Sequence, residues 1–227
     1  MRAHSPLAHL IPRSAHSART RGHTLGTPRV YDAFVNLFFF GRRRSSFEAL
    51  LSAASVKPGQ RVLDVGCGTG YFARMLAQTV GSDGLVVGVD ASPEMIHYAR
   101  DKARRASNCQ FQLGTAESLT FLADDFDVVV SSLFMHHLPT DLQVTALREM
   151  WRVLRWGGTL LIAEARVPRA FGWQLLARVH GYDRMARAVA ELERMVADVN
   201  FEQVQTGVAP PWLRYVRAIK RADGMPQ

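Results

Sequence analysis

Residues 61–80 constrain the fold more than any other stretch. An apolar strand, Arg61–Val65, runs into the turn Gly66-Cys67-Gly68-Thr69-Gly70 and opens into an amphipathic helical pattern over Thr69–Val80. Strand, glycine turn and helix in that order form the first unit of a doubly wound sheet that binds a nucleotide or nucleoside at its edge. The alternation then continues: strand Leu85–Val89, helix Pro93–Arg105 with Ser92 as N-cap, and strand Cys109–Leu113. Next come strand Asp127–Ser131, helix Thr140–Leu154 capped by Thr140, a turn at Gly157-Gly158 and strand Thr159–Ala163. The Val-only interior of Asp127–Ser131 suits a strand covered on both faces. The expectation is an α/β, Rossmann-like doubly wound sheet with helices on both sides.

The flanks read differently. The first acidic residue is Asp32, and five arginines precede it, supplying five of the eight net positive charges. Residues 1–29 therefore read as a basic, disordered tail; it also resembles a transit peptide, and it lacks an apolar signal core. Val30–Phe40 and Ser45–Ala54 read as two helices, so that residues 30–55 cap the site of a domain spanning 30–227. Residues 165–183, with Phe171, Trp173 and Tyr182 among prolines and glycines, read as a lid that selects the substrate. Met185, Val189, Leu192, Met195 and Val199 recur at helical spacing, with Asn200 placed as a left-handed cap. Phe201–Val208 and Trp212–Ile219 read as terminal strands joined at Pro210-Pro211.

Chemistry concentrates at the strand tips. The dinucleotide fingerprint needs a third glycine where Tyr71 stands, and a phosphate loop needs a lysine absent between Lys57 and Lys102. Asp64, just before the turn, is awkward beside a pyrophosphate and welcome beside a cationic ligand. Asp90 ends the second strand, where an acid accepts both ribose hydroxyls; nicotinamide-dependent enzymes share that feature.

Asp64-x-Gly66-x-Gly68-x-Gly70 resembles motif I of class I S-adenosylmethionine-dependent methyltransferases, and Gly88-Val89-Asp90-Ala91-Ser92 resembles the motif that follows it. Residues 114–119, 126–132 and 149–158 resemble the adenine loop, the fourth strand and the turn before the fifth. Tyr31-Asp32, Asn36 and Phe40-Gly41 are similar to the N-terminal signature of the ubiquinone/menaquinone C-methyltransferase group. The resemblance implies a seven-stranded sheet, mostly parallel with an antiparallel last strand, and S-adenosylmethionine as cofactor. Its contacts carried over implicate Thr69, Asp90, Thr115, Ala116 and Ser132, alongside Asp64, Gly66, Gly68, Gly70 and Ala91 of the motifs; Tyr31 reads either as closing over the cofactor from the N-terminal helix or as an aromatic tucked into the core. Thr115 stands where Asn or Asp is usual, and Trp156 replaces a common proline.

His136 and His137, just after the fourth strand, are the candidates for base or orienter, with His136 preferred for catalysis. The other expectations are plainer. Arg42–Arg44 read as a solvated run, Cys67 as a packing residue, and Phe38, Phe39 and Phe40 mostly as core. No histidine or cysteine spacing suggests a metal site, the two cysteines suit a reducing cytoplasm, and no apolar run is long enough to span a membrane. The function expected is methyl transfer to a small molecule, quinone-like or phenolic. An RNA methyltransferase drawn by the basic tail, and a non-catalytic cofactor-binding regulator or scaffold, are the alternatives; a nicotinamide dehydrogenase ranks below them because of Tyr71.

Overall fold

β1 (Arg61–Val65) sits inside a seven-stranded sheet of order β3-β2-β1-β4-β5-β7-β6. Its other strands are β2 (Leu85–Asp90), β3 (Cys109–Leu113), β4 (Phe126–Ser132), β5 (Leu154–Ala165), β6 (Phe201–Ala209) and β7 (Leu213–Lys220). The helices are α1 (Pro28–Phe38), α2 (Arg43–Ala54), α3 (Tyr71–Val80), α4 (Pro93–Ala103) and α5 (Thr140–Val153). The structure is a computed structural model, and it describes residues 21–22, 27–165 and 191–221. The expected lid at 165–183 and the first turns of the Met185 helix lie almost wholly outside those residues; residues 191–198 are helical and Asn200 ends them at φ +65°.

Pairs among β1 to β5 are parallel, whereas β7 runs antiparallel to both β5 and β6. Alternation along the strands separates two cores, as a period of two requires. On β4, Val128 and Val130 pack on the α2–α3 side, while Val129 packs with Leu147, Met150 and Val153 of α5. Each fully buried aliphatic side chain of this kind contributes about 1.5–3 kcal/mol. Phe38 and Phe39 are core, as expected for most of that triplet, whereas Phe40 is exposed against Trp212.

Several boundaries differ from the sequence reading, each for a local reason. Thr69 and Gly70 belong to the turn, so α3 begins at Tyr71. Pro139, not Thr140, occupies the N-cap of α5, and no side chain caps it. Ser92 does cap α4, its hydroxyl accepting from the Met95 amide at 3.3 Å. β5 starts at Leu154 rather than after the glycine pair, because Leu154 pairs with Phe126 and an irregularity then takes up Gly157 at φ +77°. Trp212 lies before β7; its indole N–H donates to the Phe38 carbonyl at 3.0 Å, and the Ser46 hydroxyl donates to the Pro210 carbonyl. The β6–β7 turn thereby holds both N-terminal helices over the sheet edge.

Trp156 also finds a purpose. Lys220 is 2% exposed, and its ammonium donates to Asp124 at 2.6 Å and to the Leu154 carbonyl at 2.8 Å. It lies over the rings of Trp151 and Trp156, at 4.0 and 4.7 Å, an attraction a proline could not supply. Lys220→Ala is expected to lower the unfolding free energy by about 2–4 kcal/mol through a cavity and a lost cation–π contact. Urea denaturation checks this; a change below about 0.5 kcal/mol, the scale of an ordinary surface substitution, contradicts it.

Candidate active site

The strand order reverses between β1 and β4, and ligands of open α/β sheets bind outside the strand ends at such a point. Gly66, Gly68 and Gly70 all adopt left-handed backbone, with φ between +51° and +73°. At Gly66 a Cβ would meet the Phe134 ring at 2.1 Å, and at Gly70 it would meet Phe111 at 2.6 Å. The glycine spacing is thus dictated by backbone sign and close packing together. Tyr71, standing where a dinucleotide site needs glycine, packs its ring on Phe47 at 5.4 Å and under the Arg43 guanidinium at 3.8 Å.

A cleft of about 620 Å³, its open mouth included, lies above the turn. Tyr31, Gly66, Gly68, Asp90, Ala91, Thr115 and Ala116 line it, so the structure brings together most of the residues expected to hold the cofactor. Met95, Leu133, Phe134, His137 and Leu138 supply its apolar side, and Glu117 joins Asp90 as a second carboxylate. No lysine or arginine lines it among the described residues. A second hollow of about 330 Å³ shares Tyr31, Gly66, Gly68 and Leu133 with the first and adds Arg43, Thr69 and Ser132. Gly70 lines neither, being turned toward Phe111.

Asp90 is held by two amides: Gly68 N–H donates to Oδ2 and Ser92 N–H to Oδ1, both at 2.9 Å. Burial raises its pKa, and these amides pull it back. Asp64 lines neither space. It is fully buried beneath the turn, and neither carboxylate oxygen makes a hydrogen bond of ordinary geometry. Burial first, and the Asp90 charge second, push its pKa up to about 7, with the Ala73 amide drawing it partly back. Direct contact between Asp64 and a ligand is therefore absent from this geometry; its action is that of a charge beneath the floor. The same burial, with Asp90 and Asp64 nearby, pushes the Cys67 thiol well up, in keeping with a packing role.

The N-terminal helices reach the turn through polar contacts. Asp32 Oδ1 accepts from Thr69 Oγ1 and from Arg43 Nη1, each at 2.8 Å, and Asn36 accepts from the same Arg43 nitrogen at 3.3 Å. Reading Arg42–Arg44 as a solvated run is thus corrected for its middle member: Arg43 is 6% exposed, whereas Arg42 and Arg44 face solvent. A three-residue charge run carries no sign of which member turns inward. Burial pushes the Tyr31 phenol up to about 12, so it stays neutral and able to donate a hydrogen bond. Residues 115–121 are fastened to α5. Glu149 accepts from the Leu119 amide at 2.9 Å, and Arg152 donates to the carbonyls of Leu119 and Phe121, each at 2.8 Å.

His136 and His137 form a 3-10 turn after β4, their rings 4.0 Å apart. His137 lines the cleft; His136, the histidine expected for catalysis, stacks beside it without lining the cleft, its Nδ1 2.7 Å from Glu164 of β5. Glu164 went unnoticed in the sequence because nothing there marks the end of β5 as facing the β4 loop.

A methyltransferase-domain family model matches residues 62–158. The chain is 37% identical over 146 residues to a demethylmenaquinone methyltransferase of Listeria welshimeri, covering 63% of this chain and 61% of that protein. It thus spans about three fifths of the length of that relative. It is 31% identical over 201 residues to a ubiquinone/menaquinone biosynthesis C-methyltransferase of Vibrio campbellii, covering 77% of each. In fold it is similar to an S-adenosylmethionine-dependent methyltransferase from Aquifex aeolicus, with TM-score 0.66 and 20% identity over 86% of this chain and 98% of the other.

The raised Asp64 pKa fixes the sign of a pH effect. Between the ordinary carboxylate value near 4 and about 7, the folded state binds more protons than the unfolded one, so stability falls as pH rises through that window. Asp64→Asn removes the ionisation, and its melting temperature is expected to exceed that of the parent by a margin that widens from pH 5 to pH 7 and then levels. A margin independent of pH contradicts the assignment.

Proposed function

This chain belongs to the class I S-adenosylmethionine-dependent methyltransferases, and on that footing we propose that it methylates a small, largely apolar acceptor of quinone-like or phenolic type. The observation that carries the reading is the charge of the cleft. Asp90 and Glu117 line it, Asp64 lies beneath it, and no described cation offsets them there. A pyrophosphate would be repelled, whereas a nucleoside bearing a sulfonium and an ammonium is attracted.

The residues present fit that cofactor. Asp90, with Thr115 and Ala116, lines the cleft; in this reading Asp90 takes the ribose hydroxyls and Thr115 with Ala116 the adenine. Glu117 Oε2, buried without a partner, adds an acceptor on the same wall. Gly66, Gly68, Thr69 and Ser132 flank the second hollow, where Arg43, its Nε buried and unpaired, suits a carboxylate. When bound, the cofactor supplies a methyl group made electrophilic by its sulfonium. The protein supplies alignment, exclusion of water by Tyr31 and Phe134, and a group to accept the proton of an acceptor hydroxyl. His136 is the residue proposed for that last task. The apolar wall of Leu133, Phe134 and Leu138 supports an aromatic acceptor, as does similarity to enzymes named for quinone methylation.

Cofactor labelled in its methyl group, incubated with the protein and a short-chain demethylmenaquinol, catechol or bulk RNA, tests the reading. Label is expected in an organic-extractable quinol or phenol product and not in RNA. Label in RNA, or tight cofactor binding with no transfer to any fraction of a metabolite extract, overturns it.

A further inference from the structure

The tip of β5 holds a carboxylate for which the fold alone gives no reason. Glu164 is 1% exposed, and it directly follows Ala163, the partner of Ser132 in the β4–β5 ladder. Both of its oxygens turn to one residue: Oε2 lies 2.7 Å from His136 Nδ1, and Oε1 accepts from the His136 backbone N–H at 3.4 Å. An ionised carboxylate can only accept hydrogen bonds, so with Glu164 in that form the hydrogen of the contact lies on Nδ1. Nε2 is then the free ring nitrogen, on a side chain 16% exposed and stacked against His137, which lines the cleft.

We propose that Glu164 is a positioning residue for methyl transfer: it fixes the His136 ring with hydrogen on Nδ1 and presents the Nε2 lone pair to the acceptor hydroxyl. The proton step balances within these groups. The acceptor O–H bond breaks, its electron pair stays on oxygen, and the proton forms an N–H bond at Nε2. The imidazolium so formed is stabilised by the buried charge of Glu164, an arrangement worth far more in a dry site than in water. The proposal rests on the methyltransferase reading for its substrate, but the state of the ring belongs to the protein alone.

Among the described residues, three titratable or charged groups are placed against the pair. Tyr31 of α1 senses the Glu164 charge and stays neutral, its pKa pushed up to about 12. His137 stacks on the ring, and Arg214 is the cross-strand neighbour of Glu164 on β7. All three remain unchanged in a Glu164 variant.

Two measurements test the pair. Nitrogen-15 NMR of the imidazoles in the ligand-free protein, with His136 assigned by its loss in His136→Asn, is expected to show the Nδ1–H form. In Glu164→Gln a mixture of the two tautomers is expected. A dominant Nε2–H form in the parent, or a tautomer indifferent to Glu164→Gln, overturns the proposal. In turnover with a short-chain demethylmenaquinol, Glu164→Gln should lower kcat by about 100-fold. It should leave S-adenosylhomocysteine affinity within about twofold, since neither residue lines the cofactor cleft. Loss of the carboxylate disfavours imidazolium, so the acid limb of kcat/KM should move to lower pH. Glu164→Asp should recover part of the rate. Equal losses of turnover and cofactor affinity with an unmoved acid limb assign Glu164 a purely structural part and overturn the proposal. Should the parent methylate no quinol or phenol, the acceptor reading fails while the NMR result still decides the pair; if Glu164→Gln does not fold, the parent tautomer and Glu164→Asp decide it.

Discussion

The Asp90 carboxylate, gripped by the amides of Gly68 and Ser92, is the junction on which the site depends. Through one side chain the tip of β2 fixes the glycine turn that follows β1 and the first residues before α4. Satisfying both oxygens with backbone donors keeps a charge where burial alone would expel it. Its neighbour Asp64 lacks such a pair of donors, and burial first, with the Asp90 charge second, raises its pKa.

From that junction the rest of the cleft follows in layers. The turn is held from above by Asp32, which accepts from Thr69 and Arg43, so α1 and α2 are tied to the floor of the cleft by charge as well as by packing. The Trp212 and Pro210 contacts bind the same helices to the far edge of the sheet. Opposite them, Glu149 and Arg152 of α5 fasten the 115–121 loop. The two cavities thereby differ in charge, acidic over Asp90 and bearing Arg43 beside Thr69, a polarity suited to one ligand with a cationic centre and a carboxylate end.

Much of this was legible in the sequence, and the physical reason is uneven. Glycines at fixed spacing and an acid at a strand end are local signals, and Gly66, Gly68 and Asp90 fall where the pattern put them. Ser92 capped α4 as read, because a cap depends on three neighbouring residues only. Arg43, Glu164 and the inward Lys220 were invisible, since each is defined by partners 11, 28 and 96 positions away in the chain. Asp64 marks the middle case: its place in the motif was legible, but its depth beneath the turn depends on packing that no spacing records.

The central claim is that an acidic cleft anchored at Asp90 selects a cationic nucleoside. Titration calorimetry of S-adenosylmethionine and NAD against the parent and Asp90→Asn tests it most directly. The account predicts saturable binding of S-adenosylmethionine to the parent, weakened about 10- to 100-fold in the variant as a charged hydrogen bond is lost, with no binding of NAD. Equal affinity in the two proteins, or NAD bound more tightly than S-adenosylmethionine, would contradict it.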